Sequence, residues 1–152
     1  MRKAHQVLAI VLAAFVVIQA MAIAYAFAGL GHWVDKDGGV VNHAVFQSWD
    51  KHPPTWRGSG GFALHGIDGE MIIPLVTIVF LIVSLLAAKE VAGAAQRASI
   101  LFGMVVLQVV LGVSAHDVVL LAPLHALNAF GIFAMSVVTA RKAAEAAPAV
   151  PA

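Results

Sequence analysis

The chain has 152 residues, of which 61% are hydrophobic and only 11% charged, with a formal net charge of +1 and a mean hydropathy of +0.92. A soluble domain carries about a quarter charged residues, so this composition excludes one and leaves an integral membrane protein with room for a single small bundle. The near-neutral charge, with no basic stretch, excludes nucleic acid as a partner, and the absence of cysteine excludes disulfides, thiolate metal sites and cysteine-linked haem.

Four segments supply the roughly 20 mostly apolar residues that a membrane span requires. They are residues 7–29, 62–88, 98–115 and 118–140. No strand-like alternation competes with them, so the expected fold is all-α, a four-helix transmembrane bundle in the lipid bilayer. The first segment ends near a signal-like "AYA" at 24–26. Its apolar run exceeds the 7–15 residues, roughly, of a signal core, and it reads as a retained span.

Arg2 and Lys3 precede the first span, Lys89 and Arg97 lie between the second and third, and Arg141 and Lys142 follow the fourth. Positive charge collects on the cytoplasmic side. The expected arrangement is therefore a cell-membrane protein with both termini inside and an outer loop over 30–61. That loop carries Trp33, Phe46, Trp49 and Trp56, residue types that favour the membrane interface. The transmembrane domain is taken as 1–142 and the small-residue, Pro-containing tail 143–152 as disordered.

The first span contains "VVIQ" at 16–19 and the third "VVLQ" at 105–108; each precedes a span with a histidine and a polar residue three positions later. These pairs are His65 with Asp68 and His125 with Asn128, and the i,i+3 spacing puts each pair on one helix face. The pattern suggests a parallel internal repeat of two helix pairs. Gln19 and Gln108, which end the two short matches, read as hydrogen bonders between helices.

Polar groups inside a membrane are costly unless satisfied, and two histidines from non-adjacent helices of a bundle suit the two axial positions of one haem b. His65 and His125 are the candidate iron ligands, with Asp68 and Asn128 as candidate supporting groups, one of them to accept the free ring N–H. With both axial positions filled, electron transfer is favoured over oxygen binding, which calls for a redox partner protein or a quinone; a homo-oligomer is the assembly considered. Arg57 and His116 are candidate propionate contacts. Asp68 and Glu70 are candidates for proton transfer, set against a reading as ordinary interfacial charges. The plainer reading of the histidines is that His65 is interfacial and His125 bonds a neighbouring helix.

Depth complicates the pairing. His65 lies 24 residues before Lys89 and His125 lies 16 before Arg141; at about 1.5 Å per residue the nominal depths differ by roughly 12 Å. A kink at Pro74 is one way to absorb this. His116 is the rival partner for His65, although "SAHDVV" reads as an outer turn. His5 reads as a cytoplasmic residue without a role, and His32, His43 and His52 as scattered loop histidines.

The stretch "LQVVLGVSAHDVVLLAPLHALNAFGIFA" at 107–134 resembles the third and fourth helices of one half of the haem A synthase family, where an LQ…LG helix precedes one with an LH..NA-type motif. The resemblance extends over about residues 7–140 as one four-helix half of a two-half architecture. It implies haem ligation by His125, in the motif, and by His65, near the outer start of the second helix. "FALHGIDGE" departs from the family pattern in placing Gly66 after the histidine and the acids downstream. The resulting expectation is a small bis-histidine membrane cytochrome that moves electrons or handles haem. The alternatives are a haem A synthase-like haem-modifying oxidoreductase and a non-catalytic accessory subunit of a membrane complex.

Overall fold

In a computed structural model, the described residues are 1–49 and 51–146. Six α-helices follow in order: α1 (Arg2–Lys36), α2 (His43–Ser48), α3 (Gly60–Ile67), α4 (Ile73–Ala87), α5 (Ala94–Ser114) and α6 (Leu121–Glu145). A π-helical turn, Asp68–Ile72, joins α3 to α4, so Gly60–Ala87 forms one span. With α1, α5 and α6, the described residues include four helices long and apolar enough to cross a bilayer. It is an all-helical, multi-pass membrane protein. The cause is general: lipid offers no hydrogen bonds, so each spanning segment must satisfy its own backbone, and a helix does so.

α1 overruns its apolar segment at both ends and α6 at its C-terminal end. At about 1.5 Å per residue, the 35 residues of α1 reach about 52 Å, against a hydrocarbon core of about 30 Å. Hydropathy marks the part that suits lipid, whereas the helix continues wherever the backbone bonds can. At the other end α6 runs to Glu145, so 143–145, expected in the tail, are helical, and Ala143 is buried. Residues 147–152 of that tail fall outside the described residues.

Pro74 explains the π-turn. Proline lacks an N–H, and inside an α-helix its ring collides with the carbonyl four residues earlier. The wider turn over Asp68–Ile72 opens the ladder just before it, and α4 starts with Pro74 in its first turn. The kink expected at Pro74 therefore takes the form of an inserted π-turn. Further along, Thr77 Oγ1 donates to Ile73 O at 2.7 Å and Ser84 Oγ to Phe80 O at 2.6 Å, which keeps these buried hydroxyls satisfied within α4.

The chain divides into two compact units, Met1–Val17 with Glu70–Ala152, and Ile18–Gly69. The first is a bundle with a core drawn from all four spans: Ala9 and Leu12, Ile73 and Phe80, Ala98, Leu101 and Val105, Ile132 and Ala140. Gly93, with φ of +70°, turns the chain from α4 into α5. Beside it, Glu90 accepts the Arg2 backbone N–H at 3.0 Å and the Met1 amine at 3.2 Å. These bonds, that from Arg2 foremost, hold the exposed Glu90 carboxyl below the usual glutamate range.

The second unit packs α3 and the loop before it on the C-terminal half of α1 through small residues. A side chain at Gly61 would run into Ala22 O and Ala26, and one at Gly29 into Arg57 O. Ala22, Ala26 and Gly29 recur at helical spacing, so one face of α1 is stripped for close approach. Over this face the loop aromatics cluster: Trp56 stacks near Trp33 with ring centroids 6.1 Å apart and meets Phe62 edge-on at 6.0 Å. Trp49 lies 6.3 Å from Trp56.

Candidate functional site

His65 and His125 sit in the same local arrangement, one in each unit. On α3, His65 Nδ1 lies 3.2 Å from the backbone oxygen of Gln19 on α1. The side chain of that glutamine donates from Nε2 to Asp68 Oδ2 at 2.8 Å. On α6, His125 Nδ1 lies 3.0 Å from the backbone oxygen of Gln108 on α5. Here Asn128 Nδ2 donates to Gln108 Oε1 at 2.7 Å and to Met104 O at 2.9 Å. The two glutamines thus join neighbouring helices, as their sequence positions suggested.

A carbonyl oxygen only accepts, so Nδ1 is the donating nitrogen of each ring. The acceptor differs from the one expected. Asp68 and Asn128 were candidates for the ring N–H, but the acceptor of each Nδ1 is main-chain, and the two polar side chains hold the glutamines instead. Geometry gives the reason. The i,i+3 spacing puts the histidine and its companion one turn apart on one face, so they meet the neighbouring helix at successive levels, backbone at one and glutamine side chain at the other.

Glycines make the closeness feasible. A Cβ at Gly112 would stand 3.0 Å from Cε1 and 3.1 Å from Nδ1 of His125. The Nδ1–Cε1 edge of the imidazole therefore comes close to α5 where that helix has no side chain. In the other unit, a Cβ at Gly69 would come 3.3 Å from Gln19 Oε1.

The remaining candidates are dispersed. Asp68 is buried, at 3% exposure, whereas Glu70 in the same π-turn is exposed. The interfacial reading suits Glu70 and not Asp68. Arg57 is exposed in the second unit, and His116 is exposed in the turn between α5 and α6 of the first. Among the described residues no group of three or more His, Asp or Glu side chains is placed to hold a metal ion, so His32, His43 and His52 form no such site.

The structure also brings out a residue that the sequence reading dismissed. His5 is fully buried, stacks on Phe80 with centroids 5.1 Å apart, and places Nδ1 2.8 Å from Ser84 Oγ. The single Ser84 hydroxyl proton goes to Phe80 O, so Nδ1 is again the ring donor. His5 Nε2 is buried with no hydrogen-bond partner among the described residues, and so are Ser136 Oγ and Thr139 Oγ1. The signal was spacing: His5 precedes the core residues Ala9 and Leu12 by four and seven positions, on their face of the helix.

Comparison of the chain with known protein families, with characterised proteins and with solved structures finds no match.

Proposed function

We propose that the protein is a haem b-binding membrane protein of the small cytochrome type, with His65 and His125 each supplying an axial bond to haem iron. The observation that carries the reading is the shared bond from Nδ1 to a glutamine carbonyl. It fixes ring orientation by tying Nδ1 to a carbonyl, the second-sphere arrangement that metal-binding histidines characteristically have, in which Nε2 would be the coordinating nitrogen. The plainer reading, helix-to-helix bonding by the same histidines, accounts for Nδ1 but gives no reason to repeat the whole arrangement. Gly112 adds support, because it clears α5 for the His125 ring where any other residue would displace it.

Haem is preferred to another metal because two histidines suffice for its axial positions, whereas a tetrahedral zinc site needs about four ligands. The likeness of 107–134 to the haem A synthase family points the same way. Bound haem would supply one-electron redox chemistry. The chain's part would be to hold two half-buried imidazoles by their Nδ1 atoms and to fill both axial positions. That favours electron transfer over haem modification. The basic residues at 2–3, 89–97 and 141–142 support a cell-membrane orientation with both termini cytoplasmic.

The test is an absorption spectrum of the purified protein, oxidised and then reduced with dithionite. Low-spin b-type bands are expected, with His65→Ala and His125→Ala each losing haem and His43→Ala retaining it. A protein that takes up no haem when haem is supplied during expression, or equal retention by all three variants, overturns the proposal.

A further inference from the structure

In the first unit, α1 and α6 leave a groove of about 310 Å³ between them. α1 lines it with Gln6, Ile10 and Ala13, and α6 with Val137, Ala140, Arg141 and Ala144. Both sets keep helical spacing, so each is a single helix face. Each covers seven positions, 6 to 13 and 137 to 144, or about 10 Å of helix. Ala13 and Ala140 are buried, whereas Ile10 and Val137 are exposed. The groove therefore has a floor of small residues between larger apolar walls, and in a bilayer those exposed walls meet lipid.

Polarity is confined to one end of the groove. Arg2 Nη1 donates to Ala143 O at 3.4 Å, which sets the start of α1 beside the end of α6. The first and fourth of four consecutive spans run in opposite directions, so Gln6 and Arg141 share one end while Ala13 and Val137 lie at the other. Gln6 precedes the first apolar segment by one residue and Arg141 follows the fourth by one, which puts this end at headgroup level. Arginine is always charged, and its planar fork suits two parallel bonds to a phosphate. The acids nearby are engaged elsewhere: Glu90 accepts from the Met1 amine and the Arg2 N–H, and Glu145 from Lys142 at 2.8 Å. Arg141 is in none of the ion pairs among the described residues.

We propose that this groove holds one anionic phospholipid, with its phosphate on Arg141 and an acyl chain along the alanine floor. An apolar channel with a cation at headgroup level matches such a molecule in both shape and charge, and basic pockets between membrane helices are a general form of headgroup site. Charge complementarity selects a net-negative headgroup over a zwitterionic one, whose own cation offsets the attraction. Gln6 adds an amide donor at the same end. Neither histidine arrangement takes part, so the site stands whether or not the protein binds haem.

The test is native mass spectrometry of the full chain, stripped of lipid in a non-ionic detergent and then supplied with phosphatidylglycerol or phosphatidylcholine of identical acyl chains. One molecule of phosphatidylglycerol is expected to stay bound under activation that removes phosphatidylcholine. Arg141→Gln is expected to bind phosphatidylglycerol about fivefold more weakly and to lose the preference. Lys89→Gln removes an exposed charge in the turn between α4 and α5, outside the groove, and is expected to keep it. Ala144→Leu narrows the groove from an exposed position and is expected to weaken both lipids. Helix ellipticity equal to that of the unsubstituted protein checks that each variant folds. Equal retention of the two lipids by the unsubstituted protein means annular lipid only and overturns the proposal. An equal loss from Arg141→Gln and Lys89→Gln also overturns it, because the preference then belongs to overall positive charge. Dodecanoate retained as firmly as phosphatidylglycerol makes the occupant a fatty acid and overturns the phospholipid assignment.

Discussion

A methyl group at position 112 offers a severe test of how closely His125 is held. Glycine in a helix interior is less stable than alanine by about 0.5–1 kcal/mol, so Gly→Ala in α5 stabilises the protein wherever there is room. Gly103 provides that case: it lies in the same helix, is exposed, and a Cβ there meets nothing within 4 Å. At Gly112 the same Cβ meets the imidazole at 3.0 and 3.1 Å. Carbon contacts settle at about 3.5–4.0 Å, so the ring must retreat by about 0.5 Å. The bond from Nδ1 to Gln108 O is 3.0 Å, and a retreat of that size takes it out of the favourable range, at a loss of about 0.5–1.5 kcal/mol. Gly103→Ala is therefore expected to gain about 0.5–1 kcal/mol and Gly112→Ala to stay near zero. The assay is denaturant unfolding of the haem-free protein in detergent micelles, followed by helix ellipticity. In the haem-loaded protein, Gly112→Ala is expected to retain less haem than Gly103→Ala. Equal gains in stability and equal haem retention by the two variants would refute the argument that Gly112 exists to seat His125.

Two further outcomes follow from groups away from the two histidine arrangements. His5→Ala removes the ring that stacks on Phe80 and bonds Ser84, and leaves a hole at a fully buried site. It is expected to destabilise the first unit by about 2–4 kcal/mol, and a loss under about 0.5 kcal/mol in the same unfolding assay would contradict the packing. Glu90 bears on pH. Its carboxyl is held below the ordinary value, first by the Arg2 N–H and then by the Met1 amine. Such a group contributes stability above its unfolded pKa, about 4.3, and loses it as pH falls through the lowered folded value. Glu90→Gln is expected to be less stable than the unsubstituted protein at pH 7, with the gap closing as the solution is acidified below about pH 4. A gap that stays constant from neutral to acid pH would count against the electrostatic tie.

What could be read from the sequence and what could not separate along physical lines. The four spans were legible because lipid demands long apolar runs, and the structure keeps all four, moving their ends by one to seven residues. Those ends were not legible in hydropathy, since a helix such as α1 does not stop where lipid stops. Gln19 and Gln108 were visible as isolated amides in apolar helices, and both bond a neighbouring helix. The acceptors of the His65 and His125 ring protons were hidden, because a backbone carbonyl belongs to every residue and leaves no mark in the sequence. Burial of His5 depended on Phe80 and Ser84, nearly eighty positions away along the chain. Its charged neighbours Arg2 and Lys3 argued for water. Pro74 signalled a disturbed helix, and only the structure identified the disturbance as a π-turn.

The aromatic cluster also determines what light reports about this molecule. All three tryptophans and the single tyrosine lie within Ile18–Gly69, and Trp56 is stacked on Trp33 and edge-on to Trp49. Intrinsic emission therefore arises wholly from one of the two units. A melt followed by fluorescence tracks the loop and the C-terminal half of α1, and it is silent about the core that contains His5, Phe80 and Leu101. Emission reports one unit and ellipticity the helices of both, so coincident transitions on the same sample would mean that the two units unfold as one.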